Sequence, residues 1–222
     1  LLAALPDQSA APVDVPSAFT SRASATGWYY NLPVAYVSRV FRTVPYTHTD
    51  APALMVLAKL LRADFLHREI REKGGAYGGM AGYNSDGGLF SMLSYRDPQL
   101  ERTLDVYQQA VEWACRGEFS DEMVKQSVLT AFAELDRPLS PGSRGYREFI
   151  HQQQGVSHAM LQSYRNGILA MDQQKLAHAA QTYLQQGFAA SSVGILAGDE
   201  MFGKAQQVLA KLNMQMKRLG SQ

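Results

Sequence analysis

The chain has 222 residues, 46% of them hydrophobic, and a formal net charge of +1 from 21 basic and 20 acidic side chains. That is enough for one large domain or two small ones with a sizeable core; the balanced charge, without blocks of one sign, argues against a nucleic-acid groove or a polybasic membrane patch. No apolar run approaches the length of a membrane span, and a single cysteine, Cys115, excludes an intrachain disulfide or a cysteine-based zinc site and reads as a buried structural thiol on a helix.

Residues 1–26 read as the tail of a preceding domain followed by a linker. Leu1-Leu2-Ala3-Ala4-Leu5 is stopped by Pro6, and Pro12, Pro16 and the Ser/Ala/Thr-rich run to Thr26 favour an extended connection. The first residue is leucine, so the chain reads as a processed product or a piece of something longer, and any leader would be lost with the rest. Compartment is therefore unread, with cytoplasm as the default.

Residues 27–222 read as one α+β domain. Gly27 to Leu32 and, after Pro33, Val34 to Val44 are aromatic or β-branched strand runs. Thr49-Asp50-Ala51-Pro52 opens a helix, with a side-chain cap and proline in the first turn. Leu54, Leu57, Ala58, Leu61 and Phe65 carry its helical spacing to about Arg71. Tyr77 to Tyr83 and Leu89 to Tyr95 are short strands around the hairpin turn Asn84-Ser85-Asp86-Gly87-Gly88. Asp97-Pro98 caps the next helix, with Leu100, Leu104, Tyr107, Val111 and Cys115 as its apolar stripe. Ser120-Asp121-Glu122 opens another. Beyond the break at 137–142, helices are predicted over 143–153, 157–170 and 172–186, the last capped by Asp172. A short strand within 190–198 and a helix over 199–212 finish the chain. This order predicts the α+β class: a mainly antiparallel sheet with helices packed on one face.

The stretch Arg71-Glu72-Lys73-Gly74-Gly75-Ala76-Tyr77-Gly78-Gly79 closes the long helix and runs into the hairpin. Gly74 or Gly75 can form a left-handed C-cap, because glycine reaches φ > 0 without a Cβ clash. Arg71 and Lys73 suit the negative end of the helix dipole. The arrangement draws Arg71 toward Tyr77, although a helix stop before a strand also accounts for it.

The other motifs are negative. His48, His67, His151, His158 and His178 include no pair four residues apart, and neither His-Glu-x-x-His nor His-x-x-Glu-His occurs, so no metal ligand is assigned. There is no Gly-x-Ser-x-Gly elbow and no phosphate loop ending in Gly-Lys-Ser/Thr. His67 and Glu69 fall on the wet side of their helix. Arg96 and Asp97 are assigned to structure, Asp97 as a cap, and Trp28, Tyr29 and Tyr30 to the core or an inter-domain contact. The residues alone describe a domain without a self-contained catalytic site.

A resemblance adds to this. Leu66-His67-Arg68-Glu69-Ile70-Arg71-Glu72-Lys73-Gly74-Gly75-Ala76-Tyr77-Gly78, then Gly88-Leu89-Phe90-Ser91 and Ser94-Tyr95-Arg96-Asp97-Pro98, resembles the C-terminal half of the pitrilysin/insulinase superfamily of zinc metallopeptidases, above all its presequence-protease branch. Asp136-Arg137-Pro138, Pro141 and Gly145 fit the same branch, and the likeness covers roughly residues 27–212. In that superfamily, homologous α+β domains form two bowl-shaped halves around a chamber. The N-terminal half carries His-x-x-Glu-His; the C-terminal half supplies an arginine and a tyrosine to bound peptide.

The resemblance implies the metallopeptidase/processing-peptidase domain fold. It implies Arg71 and Tyr77 as substrate-binding residues, with Tyr77 also the catalytic donor to the substrate carbonyl or oxyanion. Gly74 and Gly75 would let substrate backbone approach. It implies no metal or cofactor in this chain, with zinc on the missing N-terminal half. The partners would be that half and unfolded peptide, with no nucleic acid and no membrane. Alone, the chain would be inactive. The alternative is a non-catalytic scaffold or assembly domain, as in superfamily members that lost zinc. The strand Tyr77–Tyr83 would pair with an extended peptide if it lay at a sheet edge.

Overall fold

The computed structural model describes residues 22–219; the predicted tail and most of the predicted linker lie outside them. Strands β1 (Ala25–Tyr29), β2 (Ala35–Arg42), β3 (Gly78–Asn84), β4 (Leu89–Asp97), β5 (Ser192–Ala197) and β6 (Gln215–Arg218) form one sheet in the order β3-β4-β2-β5-β1-β6. β3–β4, β4–β2 and β2–β5 are antiparallel, whereas β5–β1 and β1–β6 are parallel. The sheet is thus mainly antiparallel, in the expected α+β class, and β3 lies at its edge.

Alternation along the strands separates two faces. Ala35, Val37, Arg39 and Phe41 of β2 are buried, as are Phe90 and Met92 of β4 and Val193 and Ile195 of β5. Against them packs helix α1 (Ala51–Leu60), buried at nearly every position and continued by π-helical turns over Leu61–Glu72. Its Leu54, Leu57, Leu60 and Leu61 have no accessible surface; burial of each such side chain contributes about 1.5–3 kcal/mol. Helices α2 (Leu100–Arg116), α3 (Asp121–Leu135), α4 (Pro141–Gln153), α5 (His158–Leu169) and α6 (Gln173–Ala179, continued to Gln185 by π-helical turns) follow. The opposite face carries Trp28, Tyr36, Met80, Leu93, Tyr95 and Leu196, which line an open groove of about 380 Å³.

Several local expectations hold. Ser120 and Asp172 cap their helices by accepting the Met123 and Lys175 N–H groups, and the Asn84 side chain closes the hairpin by accepting Gly87 N–H at 2.8 Å. Others need correction. Asp50 makes no capping bond; its carboxylate instead accepts the Tyr183 hydroxyl at 2.7 Å. The last predicted helix is two, α7 (Asp199–Lys204) and α8 (Gln206–Lys211), broken at Ala205 two residues after Gly203, a poor helix former. β6 was not expected, because all its residues are exposed and carry no alternating pattern; pairing with β1 makes it a strand. Tyr29 packs edge-on against Phe202, Trp28 lies in the open-face groove, and Tyr30 is exposed.

Candidate functional site at the edge of the sheet

The long helix ends through a nested pair of hydrogen bonds, Gly75 N–H to Arg71 O and Ala76 N–H to Ile70 O. Each ring is one residue wider than in a Schellman cap, following the Lys73 N–H to Arg68 O bond of the last π-helical turn. Gly75 takes the left-handed conformation, with φ +77°. Gly74 does not. It is buried, its carbonyl accepts Gln99 Nε2 at 2.9 Å, and a Cβ there would lie 2.4 Å from Ile70 O. The chain then enters β3, whose Gly79 lets the strand lie directly on the helix: a Cβ would sit 2.6 Å from Leu66 O.

This corner carries Arg71 at the end of the helix and Tyr77 at the entry to β3, and holds each through a different neighbour. The Arg71 Nη1 donates to His67 Nε2 at 3.1 Å. Arginine has no acceptor, so Nε2 is bare and the ring proton sits on Nδ1, which faces Glu72 Oε1 at 3.2 Å. His67 and Glu72 therefore brace the guanidinium. Tyr77 is 69% exposed. Its N–H donates to Tyr95 O at 3.0 Å, and its ring meets the Tyr95 ring edge-on with centroids 5.6 Å apart. Tyr95 in turn meets Tyr36 at 5.2 Å. Among the described residues no hydrogen bond or cation–π contact joins Arg71 to Tyr77, and the Tyr77 hydroxyl has no hydrogen-bond partner.

Behind the corner, Glu69 ties the helix to α2. Its carboxylate accepts Lys73 Nζ at 2.8 Å and Arg68 Nε at 3.0 Å and faces Arg102 Nη2 at 3.4 Å, while Arg102 Nη1 reaches Glu69 O at 2.5 Å. The Lys73 ammonium, helped by Arg68, holds this carboxyl below the usual glutamate range against the opposing effect of burial. Asp97, with no accessible surface, accepts Gln99 N–H at 2.8 Å and the Thr103 hydroxyl at 2.5 Å, and so fixes the end of β4 to the start of α2. The link of His67 to Arg71 escaped the sequence reading; their i, i+4 spacing was the available signal.

Among the described residues no group of three or more His, Cys, Asp or Glu side chains could hold a metal ion. The described residues therefore do not fit a zinc site. Nor, among them, is any helix long and apolar enough to cross a membrane.

Comparison with known proteins follows the same corner and sheet. Mitochondrial presequence protease of Xenopus laevis is 41% identical over 171 residues, 77% of this chain but 16% of that protein, so the chain spans about a sixth of that relative's length. In fold, the chain is similar to a protease from Helicobacter pylori, with TM-score 0.69, 17% identity, and coverage of 86% of this chain and 48% of that one. It is also similar to a peptidase M16 inactive domain from Pseudomonas fluorescens, with TM-score 0.66, 14% identity, and coverage of 80% and 43%. The family model described as PreP C-terminal domain matches residues 32–191. With strands β2, β3 and β4 and all of the Arg71–Tyr77 corner inside that match, the chain belongs to the PreP C-terminal domain family.

Proposed function

We propose that this domain is the peptide-binding part of a zinc-dependent oligopeptidase, closing a chamber whose zinc is carried by the N-terminal half of the same polypeptide. The observation that carries the reading is Tyr77: an exposed side chain with its ring set by Tyr95 and its hydroxyl unengaged, at the start of an edge strand. A neutral O–H held in that way can donate to a peptide carbonyl oxygen as negative charge develops there. The braced Arg71 guanidinium offers its remaining N–H groups to a substrate carbonyl or carboxylate. The free edge of β3 can add an extended peptide as a further strand, and the open-face groove beyond Tyr95 accepts apolar side chains.

The test is made in the full-length protein. Tyr77→Phe removes one hydroxyl with little change in packing, so kcat is expected to fall about 10²-fold or more with KM much less affected. Arg71→Ala is expected to raise KM instead. Wild-type kinetics for Tyr77→Phe in a zinc-loaded, peptide-cleaving protein would remove Tyr77 from the mechanism and return it to packing.

A further inference from the structure

Arg96 was assigned to structure from the sequence, yet its backbone and surroundings do not fit that role. Between β2 and β4 the register slips: Val37 pairs with Ser94, but Ala35 pairs with Asp97. One extra residue is therefore accommodated on β4, and Tyr95 and Arg96 together stand against Tyr36. Such a bulge re-aims side chains and is over-represented beside active sites. Here Ser94 and Asp97 are buried on either side, while both Tyr95 and Arg96 are exposed.

Arg96 also has φ +51°, one of two non-glycine residues with positive φ among those described. A branched or long side chain gains nothing from that conformation, which glycine or asparagine adopts more readily. It persists because both flanks are locked: Asp97 by Gln99 N–H and Thr103, and Tyr95 O by Tyr77 N–H. Strain maintained in this manner clusters at ligand-binding sites.

The position is specific. Tyr77 N–H donates to Tyr95 O at 3.0 Å and the two rings meet edge-on with centroids 5.6 Å apart, so Arg96 follows directly on the residue that holds Tyr77. The Arg68, Arg71, Arg102 and Arg165 side chains each have a hydrogen-bonding partner; that of Arg96 has none among the described residues, a lack it shares with Arg62, Arg137, Arg144 and Arg147, and the bulge and the positive φ are what set it apart from them.

Resting on the peptide-binding reading above, we infer that Arg96 is a further substrate-binding residue, which takes a carboxylate of the peptide beside Tyr77. A planar guanidinium with all its donors available matches a carboxylate in a two-bond fork. That carboxylate can belong to an acidic side chain or to the peptide C-terminus, and peptide chemistry separates the two.

The experiment uses full-length protein and four fluorogenic peptides: a parent with one glutamate and a free C-terminus, its Glu→Gln form, its C-terminal amide, and the doubly neutral form. Arg96→Gly removes the guanidinium and suits the left-handed backbone, so a folding defect is not expected; Arg96→Lys keeps the charge without the fork. The readout is the ratio of kcat/KM for charged over neutral peptide, and the same ratio in equilibrium binding by fluorescence anisotropy. Arg96→Gly is expected to lower the ratio about 10-fold, the worth of a charge-assisted hydrogen bond, with Arg96→Lys between it and wild type. Loss confined to the Glu/Gln comparison assigns a side-chain carboxylate; loss confined to the amide comparison assigns the C-terminus. An unchanged ratio in both measurements overturns the inference, and so does equal loss on all four peptides. Tyr77→Phe, run in parallel, reports on the underlying reading: slow turnover there with an unchanged Arg96→Gly ratio sinks the Arg96 inference alone.

Discussion

His67 shows how a residue without chemistry of its own can act through another. Its bare Nε2 receives Arg71 while Nδ1–H faces Glu72, so the guanidinium is partly ordered in the free protein, which on the proposed peptide-binding reading precedes any contact with substrate. Ordering a long side chain on binding costs about 0.5–1.5 kcal/mol. His67→Ala is therefore expected to raise KM about 3- to 10-fold with kcat held within about twofold. His67→Gln, whose amide oxygen can occupy the acceptor position, should recover most of the loss. Michaelis–Menten measurements on both variants check this; an equal fall in kcat for both would place His67 elsewhere in the mechanism.

At the scale of elements, the decisive contact is between the π-helical run and β3. Two glycines serve it for different reasons. At Gly75 the space is open, the nearest atom to a Cβ being Pro98 Cγ at 3.7 Å, and only the φ of +77° matters. Gly75→Ala is expected to cost about 1–2 kcal/mol of stability, with the corner's geometry kept. At Gly79 a methyl group would meet Leu66 O at 2.6 Å and Ile70 Cβ at 2.8 Å, so helix and strand must separate. Gly79→Ala is expected to cost about 1–3 kcal/mol and also to lower kcat/KM, because Arg71 and Tyr77 ride on the two elements being pushed apart. Urea unfolding with parallel kinetics distinguishes the two: comparable losses in stability, but a loss of activity only for Gly79→Ala.

For the whole molecule, the tie between the long helix and α2 is electrostatic as well as apolar. Glu69 is held below the usual glutamate range in the folded state by Lys73 and Arg68, so the unfolded chain takes up the proton at higher pH. The stabilisation is complete above the unfolded value, about 4.3, and is lost as pH falls through the lower folded value. Glu69→Gln is thus expected to be about 1 kcal/mol less stable than wild type at neutral pH, with the difference closing in the acid range. Thermal melts from pH 7 downward check it; a difference that widens toward acid would contradict the assignment. The far side of the molecule is different in character: from Pro141 to Phe149 every residue of α4 is exposed, including Tyr146 and Phe149.

Local physics was legible in the sequence. Apolar spacing located α1 and α2, side-chain oxygens marked the caps at Ser120 and Asp172, and the Asn84–Gly88 run announced the hairpin, because each depends on residues within a turn of one another. The resemblance pointed to Arg71 and Tyr77 for the same reason: their motif is contiguous. Tertiary structure decided the rest. Whether Gly74 or Gly75 turned left-handed, whether Asp50 capped a helix or received Tyr183, and whether Gln215–Arg218 became a strand all hinged on partners far away in the chain. The edge position of β3 and the bulge that exposes Arg96 are likewise properties of strand pairing, in which residues distant in sequence compete for the same backbone hydrogen bonds, and no single segment carries the outcome of that competition.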